Sequence, residues 1–231
     1  MISDWLAFWD SPHSIYANAR HKDAHYRLIA QDIAALVPGP NAHVLDYGSG
    51  EALHADLVAA AAEQLFLCEA SPGLCSFLEG RFVANPKIRV LAPHEVARLP
   101  ERSLDLIVLH SVTQYLTAAG SGALFALFHR LLKSDGLLLV SDVVPPGLWA
   151  TTDAWALLRF AAENGFLVEA LRGLVRTRFS DYWRLRSNLG LTRYDEAAMI
   201  DKLTAAGFTA RRTEENIGHN PARMAFLARP R

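Results

Sequence analysis

The chain has 231 residues, 51% of them hydrophobic, with 23 Lys and Arg against 24 Asp and Glu and a formal net charge of −1. That length suits one domain with a substantial core plus an insertion, and the balanced charge gives no field to draw in nucleic acid. Cys68 and Cys75 form neither a disulfide framework nor a zinc site, no run approaches the ~20 apolar residues of a membrane span, and the first residues lack the order of a signal peptide. A soluble, cytoplasmic protein is expected.

Residues 1–40 are predicted to form an N-terminal helical cap. Trp5, Leu6, Phe8 and Trp9 cluster in its first piece. A second helix, about Asp23 to Val37, sets Leu28, Ile29, Ile33 and Leu36 at helical spacing, and Pro38-Gly39-Pro40 stops it. Tyr16, Arg20, His21 and Tyr26 stand apart from that packing stripe. His21 and His25, four apart, share a helix face as paired zinc ligands do. With no glutamate between them and no third ligand evident, no metal is expected.

The next stretch organises the chain. An apolar run from His43 ends in Asp46, Gly48 and Gly50 follow one residue apart, and an alanine-rich helical pattern (Ala52 to Glu63) starts at once. Strand, tight turn and helix at the carboxyl edge of a parallel sheet is where doubly wound folds bind nucleotides. The glycines admit a ligand to the backbone and are expected to leave amides free at the helix start. A dinucleotide fold needs a third small residue in its G-x-G-x-x-G/A fingerprint, and Leu53 stands in that place. A carboxylate ahead of the glycines would repel a pyrophosphate and suits a ligand carrying an ammonium.

The run Val44-Leu45-Asp46-Tyr47-Gly48-Ser49-Gly50 resembles the first motif of the class I, Rossmann-like S-adenosylmethionine-dependent methyltransferases. The resemblance implies that Tyr47, Gly48 and Gly50 lie against the cofactor and that Asp46 stands near its methionine end. It also implies an N-terminal segment closing over the cofactor, with Tyr16 the chosen contact. Ala52 takes a place where the family often has a third glycine.

A second buried strand, Gln64 to Ala70, ends in Glu69, placed to accept hydrogen bonds from ribose hydroxyls, with Ala70 beside it. Ser71 and Pro72 cap and open another helix. Strand three is Ile88 to Leu91. The run from Pro93 to His110 is similar to a methyltransferase pattern in which an acid precedes Leu-Pro. Aligned on Leu99-Pro100, it implies that Glu95 meets the adenine amino group and Val96 supplies the neighbouring amide. Asp105 reads as structural. Strand four runs into His110, which is read three ways: holding the cofactor, accepting a proton from the nucleophile, or packing beneath the adenine. Gln114 and Tyr115 follow one turn on.

An amphipathic helix (Gly122 to Lys133), a Ser134-Asp135-Gly136 stop and strand five (Leu137 to Val144) come next. Residues 148–191 then form an insertion of at least two helices, read as a substrate lid. Its aromatics include Trp149, Trp155, Phe160, Tyr182 and Trp183; its arginines include Arg172, Arg176, Arg178, Arg184 and Arg186. A final helix (Ala197 to Ala206) leads to antiparallel strands, Phe208 to Glu214 and Arg223 to Arg229. The turn between them, Ile217 to Pro221, brings His219 and Arg223 within reach of a substrate.

Residues 1–231 are thus expected to be a single methyltransferase domain of α/β class. It has a seven-stranded, mostly parallel sheet with an antiparallel last strand, helices on both faces, and a helical lid between strand five and the last helix. The resemblance implies methyl transfer from S-adenosylmethionine by in-line displacement. The acceptor is read as a small molecule, with O, N or C undecided, and nucleic acid is disfavoured by the charge and by the absence of an Asn/Asp-Pro-Pro-Tyr/Phe run after strand four. His110, Tyr115 and His219 are the catalytic candidates, in a monomer or homodimer. The competing readings are a non-catalytic member of the same fold that binds cofactor or a partner chain, and a nicotinamide-dependent oxidoreductase.

Overall fold

The computed structural model describes Asp10, residues 16–177 and residues 190–231. The predicted cluster from Trp5 to Trp9 lies outside the described residues, as do Arg178, Tyr182, Trp183, Arg184 and Arg186 and the side chain of Arg176.

Helix α1 (Ala19–Leu36) precedes strand β1 (His43–Tyr47), α2 (Ala55–Ala61), β2 (Gln64–Cys68), α3 (Pro72–Phe82), β3 (Ile88–Leu91) and the single turn α4 (Pro93–Val96). There follow β4 (Leu104–His110), α5 (Ala118–Leu131), β5 (Leu132–Val143), α6 (Ala150–Glu163), α7 (Leu167–Thr177), α8 (Glu196–Ala205), β6 (Phe208–Arg212) and β7 (Met224–Pro230). The strands form one seven-stranded sheet in the order β3-β2-β1-β4-β5-β7-β6. β1 to β5 are parallel to their neighbours, and β7 runs antiparallel between β5 and β6. Strands buried on both faces read as near-continuous apolar runs, which is how β2 and β4 read.

One face of the sheet buries Phe125, Phe128 and Leu131 of α5 with Met199 and Leu203 of α8. The other buries Ile29 and Ile33 of α1, Val58 of α2, and Leu78 and Phe82 of α3. A smaller cluster joins the α6–α7 hairpin to α1 through Phe160, Ala161, Phe166 and Ala170 packed on Ala24 and Leu28. The chain steps from β1 outward through β2 and β3, then returns to lay β4 on the other side of β1. The crevice above β1 and β4 is therefore the point where a doubly wound sheet takes its ligand.

Among the boundaries that differ from the sequence expectation, three do so for a plain local reason. α1 begins four residues early because the Asn18 side chain accepts the His21 N–H as an N-cap. α2 begins three residues late because Ala52 stands at φ 43°, in the left-handed region, and belongs to the loop. β5 starts at Leu132, directly from α5, because Leu104 pairs with Leu132 ahead of a register shift, so Gly136 lies within the strand rather than ending the helix.

Candidate active site

The crevice is a cavity of about 630 Å³ walled by the carboxyl ends of β1, β2, β4 and β5, by α1, and by the β6–β7 loop. A larger groove of about 710 Å³ crosses the outer side of α1, against Arg20, Asp23, Arg27, Arg159 and Glu163. That groove is an open charged surface away from the strand ends, so the inner cavity is the site.

Its floor is the turn after β1. Gly48 and Gly50 stand at φ 81° and 57°, where side chains are strained. A Cβ on Gly48 would strike the Val112 methyl, and one on Gly50 would lie 2.8 Å from the Tyr26 hydroxyl. The amides of the turn itself, ahead of the helix start, are already bonded. Gly48 and Ser49 N–H donate to the Cys68 carbonyl at 2.8 and 3.2 Å. Gly50 N–H donates to Glu69 Oε2 at 3.0 Å, and Glu51 N–H to the Tyr26 hydroxyl at 3.0 Å. These four amides leave no nest for a pyrophosphate, which removes the physical basis of the nicotinamide reading.

Glu69 also accepts from Ala70 N–H (2.7 Å) and Ser71 N–H (3.1 Å) through Oε1. Each carboxylate oxygen has two acceptor sites, so Oε2 keeps one for a ligand hydroxyl. The buried Ser49 hydroxyl has no hydrogen-bond partner among the described residues, in a loop where a bound ligand would supply one. Asp46, enclosed by protein but still reached through the cavity, has its carboxyl pushed up to about 7 by burial and then by Glu69. A cation beside it would restore its charge.

α1 is strapped across this floor. Lys22 pairs with Glu51, His54 Nε2 lies 2.8 Å from Asp23 Oδ1, and Tyr26 meets the glycine turn. Further along, Asp32 accepts the Gly218 N–H at 3.1 Å and so anchors the β6–β7 loop. Tyr16 lies over the floor, its ring 5.9 Å from that of Tyr26.

The opposite end is made by the bends after β4 and β5. Ser111 and Asp142 both hold positive φ, 57° and 59°, and the Ser111 hydroxyl donates to the Asp142 carboxylate. His110 Nδ1 is 2.9 Å from Ser141 Oγ. Arg223 Nη1 donates to Asp142 Oδ2 (2.9 Å) and Gln114 Oε1 (3.2 Å), and Nη2 donates to Asp153 Oδ2 (3.2 Å). His219 stacks on Phe160 at 4.8 Å. Burial lowers the proton affinity of His25, His110 and His219, and it holds His21 at about 4 with help from His219.

The cavity wall therefore brings together Tyr16, Asp46, Tyr47, Gly48, Gly50, Glu69, Ala70, His110, Tyr115 and His219. It does not include Glu95 or Val96. Glu95 turns back to accept the Ala92 N–H at 2.8 Å, closing the start of α4, and Val96 is fully buried in the core. Pro93, Leu74 and Ala70 line that side instead. Asp105 lies at the far edge of the sheet, accepting from His43 N–H and Lys133. Tyr26 lines the site, and Lys22 and Asp23 brace its turn from outside the cavity, without any motif to mark them; the only sequence signal is that Tyr26 interrupts the apolar stripe of α1. The thiols of Cys68 and Cys75 are both pushed up by burial.

Residues 45–140 match the profile of a family described as a methyltransferase domain. No curated protein matches the chain in sequence. The fold is similar to that of magnesium protoporphyrin IX methyltransferase from Synechocystis PCC 6803 with bound SAH (17% identity, TM-score 0.60), covering 99% of this chain and 94% of that one. It is also similar to Burkholderia thailandensis 1,6-didemethyltoxoflavin-N1-methyltransferase (18% identity, TM-score 0.61, 99% and 86% covered), solved with 1,6-didemethyltoxoflavin and S-adenosylhomocysteine. A third similar structure is a Haloferax volcanii methyltransferase in complex with the activator Trm112 (14% identity, TM-score 0.60, 90% and 91% covered). At these identities the likeness is one of fold: with the matched profile across β1 to β5 and the strand order, the chain has the class I, Rossmann-like methyltransferase fold.

Proposed function

We propose that the protein transfers a methyl group from S-adenosylmethionine to a small-molecule acceptor. The observation that carries this reading is the floor of the cavity: a glycine turn whose amides are internally satisfied, between a buried, charge-starved Asp46 and a Glu69 with one acceptor site left over. That donor set rejects phosphates and fits a nucleoside bearing hydroxyls and an ammonium. Asp46 would hold the ammonium, Glu69 the ribose, Ser49 and Tyr16 the length between them, and Leu74 and Pro93 the base. When bound, the cofactor supplies an activated methyl group; the chain's part is to align it and keep water out, which is worth ~7–11 kcal/mol in such reactions.

Two neighbours solved with product cofactor are named for ring compounds, magnesium protoporphyrin IX and 1,6-didemethyltoxoflavin, and a third for phosphoethanolamine; together with a cavity of about 630 Å³, this supports a small-molecule acceptor over a polymer. Calorimetric titration with S-adenosylmethionine tests the reading. The native chain should bind, and Asp46→Ala and Gly48→Val should each weaken binding at least about tenfold, about 1.4 kcal/mol, with far-UV dichroism unchanged. No uptake by the native chain, or unchanged affinity in both variants, overturns it. A cofactor-binding chain without catalysis would give normal affinity and no turnover with any acceptor class.

A further inference from the structure

Four histidines from three different elements converge on the acceptor end of the cavity: His21 and His25 from α1, His110 from β4 and His219 from the β6–β7 loop. Three are already committed. His21 Nδ1 accepts the Ala17 N–H at 3.1 Å, and its ring stacks on Phe166 at 4.8 Å. His110 Nδ1 pairs with Ser141, and His219 lies flat on Phe160. His25 differs. Its Nδ1 is buried and has no hydrogen-bond partner among the described residues. Its ring stands 5.5 Å from Tyr16, 5.6 Å from Tyr26 and 5.7 Å from His219. The neighbouring residue, Tyr26, touches the glycine turn, so His25 lies between the cofactor floor and the acceptor end.

We propose that His25 is the base that takes the acceptor's proton, and that the acceptor is a ring compound whose accepting oxygen or nitrogen carries an exchangeable hydrogen. The inference rests on the methyltransferase reading above. A buried nitrogen without a partner is unfavourable unless a bound molecule completes it, and a hydroxyl or ring N–H does so. In the balanced step the acceptor's X–H bond breaks and its proton passes to His25. The X–C bond forms from the acceptor's electron pair as the S–C bond of a sulfonium donor breaks, that pair remaining on sulfur. One positive charge disappears at sulfur while one appears on imidazole, so the enclosed cavity never changes its total charge. Tyr115 and His219, the latter backed by Phe160, line the cavity with rings that suit a ring acceptor.

The groups facing His25 are Tyr16 from the segment before α1, His21 and Tyr26 on α1, His110 on β4 and His219 on the β6–β7 loop, with Asp142 and Arg223 behind the last two. Burial first, then His219, His110 and His21, disfavour its charged form, so it enters the reaction neutral, as a base must.

The test uses the full chain loaded with S-adenosylhomocysteine and para-nitrophenol as the probe, whose absorbance reports its ionisation. At about pH 6 the bound probe should be ionised about tenfold more in the native chain than in a chain without the imidazole, a difference of one pKa unit. His25→Asn, which keeps a polar atom near Nδ1 but cannot hold the proton, should lose the shift and retain S-adenosylhomocysteine binding. His25→Gln is the second variant should the first fail to fold. A probe that does not bind, or that is ionised equally in the native chain and the variants, overturns the assignment to His25. Failure of the native chain to take up S-adenosylhomocysteine removes the methyltransferase reading itself and is seen before the probe is added.

Discussion

At the scale of single residues, Asp46 couples the site to pH. Its carboxyl loses its proton at about 7 in the folded chain, against about 3.9 for an unperturbed aspartate. A ligand that brings an ammonium to it binds the ionised form, so binding must expel a proton whenever the solution lies below 7. Affinity for S-adenosylmethionine should therefore rise as pH climbs toward 7 and fall by up to about tenfold per unit below it. Calorimetry at about pH 6 in two buffers of different ionisation enthalpy should show proton release that disappears in Asp46→Asn. Equal heats in the two buffers would mean that Asp46 is not the ammonium's partner. Stability runs the other way: the folded chain holds a proton here that the unfolded chain has lost, so this residue's contribution declines as pH rises from about 3.9 to 7.

At the scale of elements, the glycine turn does not hold its shape alone. Tyr26 reaches from α1 to accept the Glu51 N–H and to fill the space beside Gly50. Tyr26→Phe keeps the ring and removes the acceptor, leaving a buried amide without its partner at a cost of about 1–3 kcal/mol. Part of that loss should appear as a weaker cofactor site, at least about fivefold in Kd, roughly 1 kcal/mol, and part as a lower denaturation midpoint. A variant that loses midpoint but keeps its full affinity would confine Tyr26 to a purely structural role. This strap also marks where reading the chain in one dimension stops. The turn itself was legible because glycines at positive φ, a carboxylate before them and an apolar strand are all local signals. The same locality exposed β2 with its terminal Glu69, and the apolar periods of β4 and α5. Tyr26 was not legible as a loop clamp, since its partner is 25 residues away and depends on how α1 crosses the sheet. Glu95 is the converse case: an acid three residues into a short helix can cap that helix, as Glu95 does, and the spacing to Leu99-Pro100 cannot tell this from a ligand contact. Ala52 adopts the left-handed conformation that a glycine would take without strain.

At the scale of the whole molecule, Arg223 is the joint on which the acceptor end depends. It draws together the bend after β5 through Asp142, helix α6 through Asp153, and the segment after β4 through Gln114. Asn220 adds a second tie to Asp153 at 2.7 Å. Only 11% of the Arg223 side chain is exposed, against 15% and 19% for the two carboxylates, so solvent screens these pairs little. Arg223→Met keeps much of the stem volume but strands two nearly buried negative charges, a change that costs about 3–5 kcal/mol where a buried pair is broken. Urea denaturation near pH 7.5 should show a loss of that size. If Arg223→Met loses little stability, the α6–α7 hairpin is held chiefly by its apolar contacts with α1, and the ion pairs only orient it.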